Sequence, residues 1–354
     1  MKIADEYFNR SRTIALNNPG LNKIVRYNVF CRKTGILSGS DKAVSFIKDN
    51  TYGPLLIRGG NDGYHFREGE VVLQIEGLFS ELVNLETTYL GMLSFSGVAT
   101  GMRNIVDVAN GVPIIDMSPR HFPWQIIEDV AYAAFIGGAV GTSSQAGYDY
   151  VKKWRPEAHF DLYGSIPHAL NAVCGGSSVE AARYYSTEFP DIRLTVLIDF
   201  EGKELDVCKA AFEEFGEDLY AVRLDTHGGR ICQGCYDLGY AVLAMNRDNP
   251  YNCGTGVTIE AAKTVRKFLD EIGAKHVKLI VSSGFNMDKV EAFIDAEIPI
   301  DAIGTGSSWV KFFMFTSDIA AVYEDGKWVP RCKAGRKHGP LVTDRILFQR
   351  GVEF

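Results

Sequence analysis

From Gly111 onward the chain alternates short apolar runs with helix-length amphipathic stretches, and this alternation limits the possible folds more than any other feature. The runs VPIIDMS, FDLYGS, RLTVLIDF, LYAVRLDT, VKLIVSSG and IDAIGTGSS read as strands that each end in polar or glycine residues. Between them, SSVEAARYYSTEF, ELDVCKAAFEEF, TIEAAKTVRKFLDEIG and MDKVEAFIDAE carry apolar residues at helical spacing. Strands that alternate with helices pair in parallel through crossovers. The pattern therefore predicts an α/β fold, an irregular (β/α) barrel, with function gathered where the strands end.

The residues before Gly111 read differently. VRYNVFCRKTGILSG and GEVVLQIEG have strand character, and LFSELVNLETTYLGMLSFSGVATGMRNIVDVA reads as one long helical connection. The late segment AAVYEDGKWVPRCKAGRKHG reads as a hairpin with an Asp-Gly turn and a basic strip. We expect a smaller N-terminal α+β domain over 1–110, a barrel domain over 111–315, and a segment over 316–354 that returns to the N-terminal domain. The segment ICQGCYDLGYAVLAMNRDNPYNCGTG stands out as an irregular insertion.

A net charge of −7 argues against a general nucleic-acid binder, whose affinity comes from neutralising phosphates. MKIADEYFNRSRTIAL lacks the apolar core of a signal peptide, and no run reaches the roughly 20 apolar residues of a membrane span, so a cytoplasmic location is expected. Seven cysteines at scattered spacing fit a reducing compartment better than a disulfide framework. Cys232 and Cys235 show metal-ligand spacing, with Cys253 and His227 as the nearest further candidates for zinc. Ordinary loop cysteines are the competing reading.

Several strand ends carry chemistry. VSSGFN and IGTGSS are glycine and hydroxyl turns whose freed amides suit a phosphate monoester. Arg223 and Asp225 in VRLDT share one face of a strand, as a structural ion pair or as a grip on an anion and on ribose hydroxyls or magnesium. Asp199 adds a carboxylate at the end of RLTVLIDF. In YGSIPHAL, proline fits the first turn of a helix and so places His168 at a helix start, either as a phosphate-facing residue or as a polar residue behind a Ser165 cap.

Taken in order, ADEYF, LETTYLGML, GGAVGTSS, GSIPHAL, VRLDT, VSSGF, DAIGTGSSWV and AGRKHG resemble the nicotinate phosphoribosyltransferases, in their short archaeal and bacterial form, over nearly the whole chain. The likeness extends more distantly to nicotinamide and quinolinate phosphoribosyltransferases. It implies transfer of a phosphoribosyl group from phosphoribosyl pyrophosphate to nicotinate in NAD biosynthesis, with Mg2+ and with ATP as co-substrate. By that resemblance His168 accepts a phosphoryl group from ATP and Asp199 orients it. Arg223 and Asp225 grip the nucleotide ribose and phosphate, and Ser282, Ser283, Gly284, Gly306 and Ser307 cradle the 5-phosphate.

The resemblance also implies a homodimer with a shared site, in which Tyr7 of one subunit stacks on the pyridine ring bound by the other. Arg120 matches an arginine near the base. Met117 and His121 depart from the family pattern, which has an aromatic residue and a frequent second arginine there. Ser143 stands where nicotinamide-using relatives carry an aspartate, and its hydroxyl can donate to the carboxylate of nicotinate. Quinolinate or another heterocycle as the base, or a non-catalytic nucleotide-binding homologue, are the alternatives.

Overall fold

The computed structural model describes residues 2–352 and divides them into two compact units. One comprises the chain up to Met102, Tyr132–Gly137 and the stretch from Val310 onward; the other comprises Arg103–Ala131 and Gly138–Trp309.

The first unit is built on a six-stranded antiparallel sheet. Its strands lie in the order Lys327–Pro330, Phe315–Glu324, Ile24–Cys31, Val71–Leu78, Leu55–Gly59 and Ile346–Arg350, so segments from both ends of the sequence share one sheet. Val25, Tyr27, Val29, Leu73 and Ile75 supply the buried face expected of alternating strands, closed by Ala43 and Ile47 of the helix Ser40–Asp49. The Asp-Gly hairpin forms as expected, with Asp325 and Gly326 both at positive φ, 49° and 76°. The long helical connection is instead three helices, Phe79–Leu82, Glu86–Leu93 and Ser96–Val108. Leu85 and Ser94 keep helical dihedrals at the junctions, so the apolar text runs on while the helix axis is interrupted.

The second unit carries a seven-stranded, wholly parallel sheet in the order Asp161–Leu162, Gly141–Thr142, Ile114–Asp116, Ala302–Thr305, Lys278–Val281, Leu219–Leu224 and Leu194–Leu197. All six expected strands are present, and Gly141–Thr142 is an addition that its glycine-rich text concealed. Asp161–Leu162 and Leu194–Leu197 are the two edges, so the curled sheet is a half-barrel that does not close between them. The mixed α/β class with a barrel-like sheet and a second, antiparallel sheet is thus the fold the sequence led us to expect.

Side-chain alternation then decides what each strand offers. Val222, Leu224, Leu279, Val281, Ile114 and Ile303 are fully or almost fully buried. The opposite register on the same strands presents Ile115 and Met117, Arg223 and Asp225, Ile280 and Ser282, and Gly304 and Gly306 to a cavity of about 770 Å³. That size suits a small-molecule ligand.

Candidate active site

The chain enters this rim through short polar strand ends, and each positions a different group. Leu219–Leu224 runs into Arg223 and Asp225, whose side chains lie 3.7 Å apart, Nη2 to Oδ2. Ser282, at the end of the neighbouring strand, donates from Oγ to Asp225 Oδ1 at 2.8 Å. Burial lowers the Arg223 pKa, against the attraction of Asp225 and Asp199 and with repulsion from Arg120. Among the described residues, Arg223 Nε is buried and has no hydrogen-bond partner.

His168 opens the helix His168–Val173, with Pro167 at the cap position rather than within the first turn. Pro167 has extended dihedrals, as the cap position requires, and Ser165 makes no capping bond: its Oγ is buried, with no partner among the described residues. His168 Nε2 donates to Asp199 Oδ2 at 3.1 Å, and its ring stands 6.1 Å from that of Phe200. The imidazole side chain is 46% exposed, whereas Asp199 is 6% exposed. Burial raises the Asp199 pKa; the bond from His168 opposes the rise and the charge of Asp225 adds to it. Asp199 Oδ1 is also buried, with no partner among the described residues.

The two glycine and hydroxyl turns lie side by side. Ser283 and Gly284 have positive φ, 80° and 69°, and line the cavity with Ser282 and Gly306. Thr305 Oγ1 donates to the Phe285 carbonyl at 2.8 Å and Ser308 Oγ at 3.3 Å, so one turn buttresses the other. A left-handed serine costs on the order of 1–2 kcal/mol, a strain that points to a functional constraint. Ser307 follows Gly306 but does not line the cavity.

Arg120, His121 and Ser143 complete the rim. The two departures from the family pattern pack on glycines of one strand. A Cβ at Gly304 would meet Met117 Sδ at 2.4 Å, and one at Gly306 would meet the His121 ring at 2.9 Å. The absence of side chains at 304 and 306 is therefore what admits Met117 and His121 to the cavity wall. Ser143 N donates to the Asp116 carbonyl at 3.0 Å, and its side chain is exposed. Tyr7 lies in the first unit, on the helix Glu6–Asn17, and is 61% exposed.

Of the candidate zinc ligands, Cys232 and Cys235 lie within hydrogen-bonding reach of each other. Cys232, Cys235 and Cys253 are free thiols; Cys235 Sγ bonds to Thr264 Oγ1 at 3.7 Å, Cys253 Sγ to Asn246 Oδ1 at 3.3 Å. Among the described residues no group of three or more His, Cys, Asp or Glu side chains is placed to hold a metal ion.

Two groups were missed by sequence reasoning. Glu204 is fully buried, accepts from Thr226 Oγ1 at 2.8 Å and from Gln233 N at 3.0 Å, and pairs with Arg230. Lys289 is 7% exposed and donates from Nζ to the Ser283 carbonyl at 2.9 Å. The signal for Glu204 was its place in the first turn of a helix behind a site strand; that for Lys289 was Phe285 and Phe293, four residues to either side of it.

Residues 5–114 match the family described as quinolinate phosphoribosyl transferase, N-terminal domain. Nicotinate phosphoribosyltransferase pncB1 of Mycobacterium tuberculosis is 28% identical over 264 residues, which are 72% of this chain and 50% of that protein. The chain therefore spans about half the length of the curated relatives it matches. A solved nicotinate-nucleotide pyrophosphorylase from Pyrococcus furiosus superposes with a TM-score of 0.75 at 28% identity, over 96% of this chain and 78% of the other. Human nicotinic acid phosphoribosyltransferase shares the fold, with a TM-score of 0.67 at 15% identity over 95% and 77% of the two chains. These likenesses bear out the resemblance carried by the sequence motifs.

Proposed function

We propose that the protein transfers a phosphoribosyl group from phosphoribosyl pyrophosphate to the ring nitrogen of nicotinate, releasing pyrophosphate and giving nicotinate mononucleotide for NAD biosynthesis in the cytoplasm. The observation that carries this reading is the convergence on one cavity of a left-handed Ser283-Gly284 turn, the Arg223 and Asp225 pair, and Arg120. Named relatives of the chain add support: the relative from M. tuberculosis bears the name nicotinate phosphoribosyltransferase.

In this reaction the bond from C1 of the ribose to pyrophosphate breaks as the pyridine nitrogen adds its lone pair to C1. The nitrogen carries no proton to remove, so no general base is needed. Backbone groups of Ser282, Ser283, Gly284 and Gly306 hold the 5-phosphate, with Ser307 behind them. Arg223 meets anionic oxygens through its unpaired Nε, and Asp225 steadies the positive charge that develops on the sugar. Arg120 and the Ser143 hydroxyl receive the carboxylate of nicotinate, and Met117 covers a ring face.

Mg2+ fits this donor set: Asp225 and the unpartnered Oδ1 of Asp199 are hard oxygens, and magnesium commonly takes one or two carboxylates together with substrate phosphates. Such an ion supplies charge neutralisation of the leaving pyrophosphate.

With Nε2–H committed to Asp199, His168 keeps the lone pair of Nδ1 for attack on the γ-phosphorus of ATP, expelling ADP. A second copy of the chain completes the site with Tyr7, whose helix also exposes Ile14 and Leu16. Mixing inactive Tyr7→Ala protein with inactive Asp225→Ala protein restores activity if Tyr7 crosses between subunits, and does not if it serves its own. The function itself is tested by measuring pyrophosphate release with nicotinate, nicotinamide and quinolinate, with and without ATP. Nicotinate is expected to be preferred and ATP to stimulate, with an acid-labile phosphate on wild-type protein that His168→Ala lacks. Equal or better turnover of quinolinate, or no pyrophosphate with any of the three, overturns the assignment.

A further inference from the structure

Lys289 lies in the first turn of the helix Met287–Asp295, where Asn286 caps by accepting from Lys289 N at 2.9 Å. Its side chain does not point to solvent. The ammonium sits 4.4 Å from the ring centroid of Phe285 and 5.8 Å from that of Phe293, and Nζ donates to the carbonyl of Ser283. The charge of Asp225 acts on it through space. Lys289 does not line the cavity, whereas Ser283, Gly284 and Asp225 do.

Peptide geometry gives this contact a consequence. Among the described residues there is no cis peptide, and in a trans peptide the carbonyl of one residue and the N–H of the next point in opposite directions. Holding the Ser283 carbonyl on the lysine side therefore turns the Gly284 N–H toward the cavity side. The same bond polarises the peptide and makes that N–H a stronger donor. It also offsets the cost of a serine at a φ of 80°. Burying a lysine is expensive unless its charge is used, and here both its partner and its neighbouring carboxylate belong to the rim.

We propose that Lys289 is a positioning residue for the anion cradle: through the Ser283 carbonyl it fixes the left-handed turn and aims the Gly284 N–H at a bound phosphate, with its own charge behind the turn. This rests on the cradle reading of Ser282, Ser283 and Gly284 given above. It also couples anion binding to a proton. Burial brings the Lys289 pKa down to about 8, with Asp225 opposing the fall. A bound dianion raises that pKa, so affinity is full below it and falls as pH rises through it, by up to about tenfold per unit.

The test is isothermal titration with ribose 5-phosphate, whose phosphate is fully dianionic above about pH 7. Wild-type protein is expected to lose roughly tenfold in affinity between pH 7.5 and 9.5. Lys289→Met should bind about tenfold more weakly at pH 7.5 and show no such fall, and Lys289→Arg should recover binding and hold it to high pH. Should Lys289→Met fail to fold, the wild-type and Lys289→Arg profiles decide. Binding that is equally strong and equally pH-independent in wild type and variants overturns the role of Lys289 alone. Absence of ribose 5-phosphate binding in wild type overturns the cradle reading, and the inference with it.

Discussion

Two charged clusters stand at neighbouring strand ends of the half-barrel, and burial acts on them in opposite ways. Around Glu204, burial raises the carboxyl pKa, but hydrogen bonds from Arg230, Gln233 N and Thr226 outweigh it, and the net shift is downward. Around Asp199, burial wins over the single bond from His168 and the net shift is upward. Both Glu204 oxygens are engaged, whereas Asp199 Oδ1 and Arg223 Nε have no partner among the described residues. A buried charge with every lone pair satisfied holds structure together; one left partly unsatisfied keeps bonding capacity that a ligand can take up. The clusters are also joined, because Arg230 Nη2 donates to the Asp199 carbonyl at 3.2 Å. The saturated cluster thereby fixes the backbone from which the unsaturated one projects.

The sharpest way to break this contrast is to unmake the saturated cluster. Glu204→Ala strands Thr226, Gln233 N and Arg230 at once, and is expected to destabilise the fold by about 3 kcal/mol. That is the low end for a broken buried pair, because Arg230 is 32% exposed and can be rehydrated. Urea unfolding measures it; a loss below 1 kcal/mol would remove Glu204 from the structural side of the comparison.

Comparable in size is Ser143→Asp, which adds a charge to the open side. Like charges about 4 Å apart cost roughly 4 kcal/mol at an effective dielectric of 20, before relaxation. Turnover with nicotinate should fall by two to three orders of magnitude while the affinity for phosphoribosyl pyrophosphate changes little. Equal losses for both ligands would show that Ser143 does not face the pyridine acid.

The smallest effect concerns Asp199, and its sign is the informative part. A folded-state pKa raised above the unfolded value of about 3.9 means that the native state binds the proton more tightly. Stability contributed by this group is then present below the unfolded value and declines as pH rises from there to the raised folded value. Asp199→Asn should lose that decline and be as stable as wild type, or slightly more so, at neutral pH, while weakening the ATP-dependent labelling of His168. Thermal midpoints between pH 3.5 and 7 measure the difference, and a variant clearly less stable at pH 7 would place Asp199 with Glu204.

Much of this contrast was legible in the sequence, and the rest was hidden for identifiable reasons. Period-two alternation put Arg223 and Asp225 on one face, and the glycine and hydroxyl turns marked the ends of two strands. Strand Gly141–Thr142 was missed because two residues among glycines carry no periodic signal, and Leu55–Gly59 and helix Ser40–Asp49 because each is short and sits between turn-like neighbours. The partners of Glu204 are 22 to 29 residues away, so its saturation could not be read from local pattern. Lys289 in MDKVEAFIDAE reads as a solvent-facing position, yet Phe285 and Phe293, four residues to either side of it, are the rings its ammonium packs against. Ser283 at positive φ was equally hidden, since the residue beside a glycine gives no sign of sharing its conformation.

The central claim is that the unsaturated rim is a phosphoribosyl-transfer site and contributes little to holding the fold. Asp225→Asn tests it most directly, because the amide keeps an oxygen for the Ser282 hydroxyl while removing the charge meant for the reacting sugar. Pyrophosphate release from phosphoribosyl pyrophosphate with nicotinate, measured beside the thermal midpoint of the same preparation, is predicted to fall at least a hundredfold with the midpoint within about 2 °C of wild type, roughly the shift that 1.5 kcal/mol gives a chain of this size. Turnover retained at wild-type level, or lost only in step with unfolding, would contradict the account.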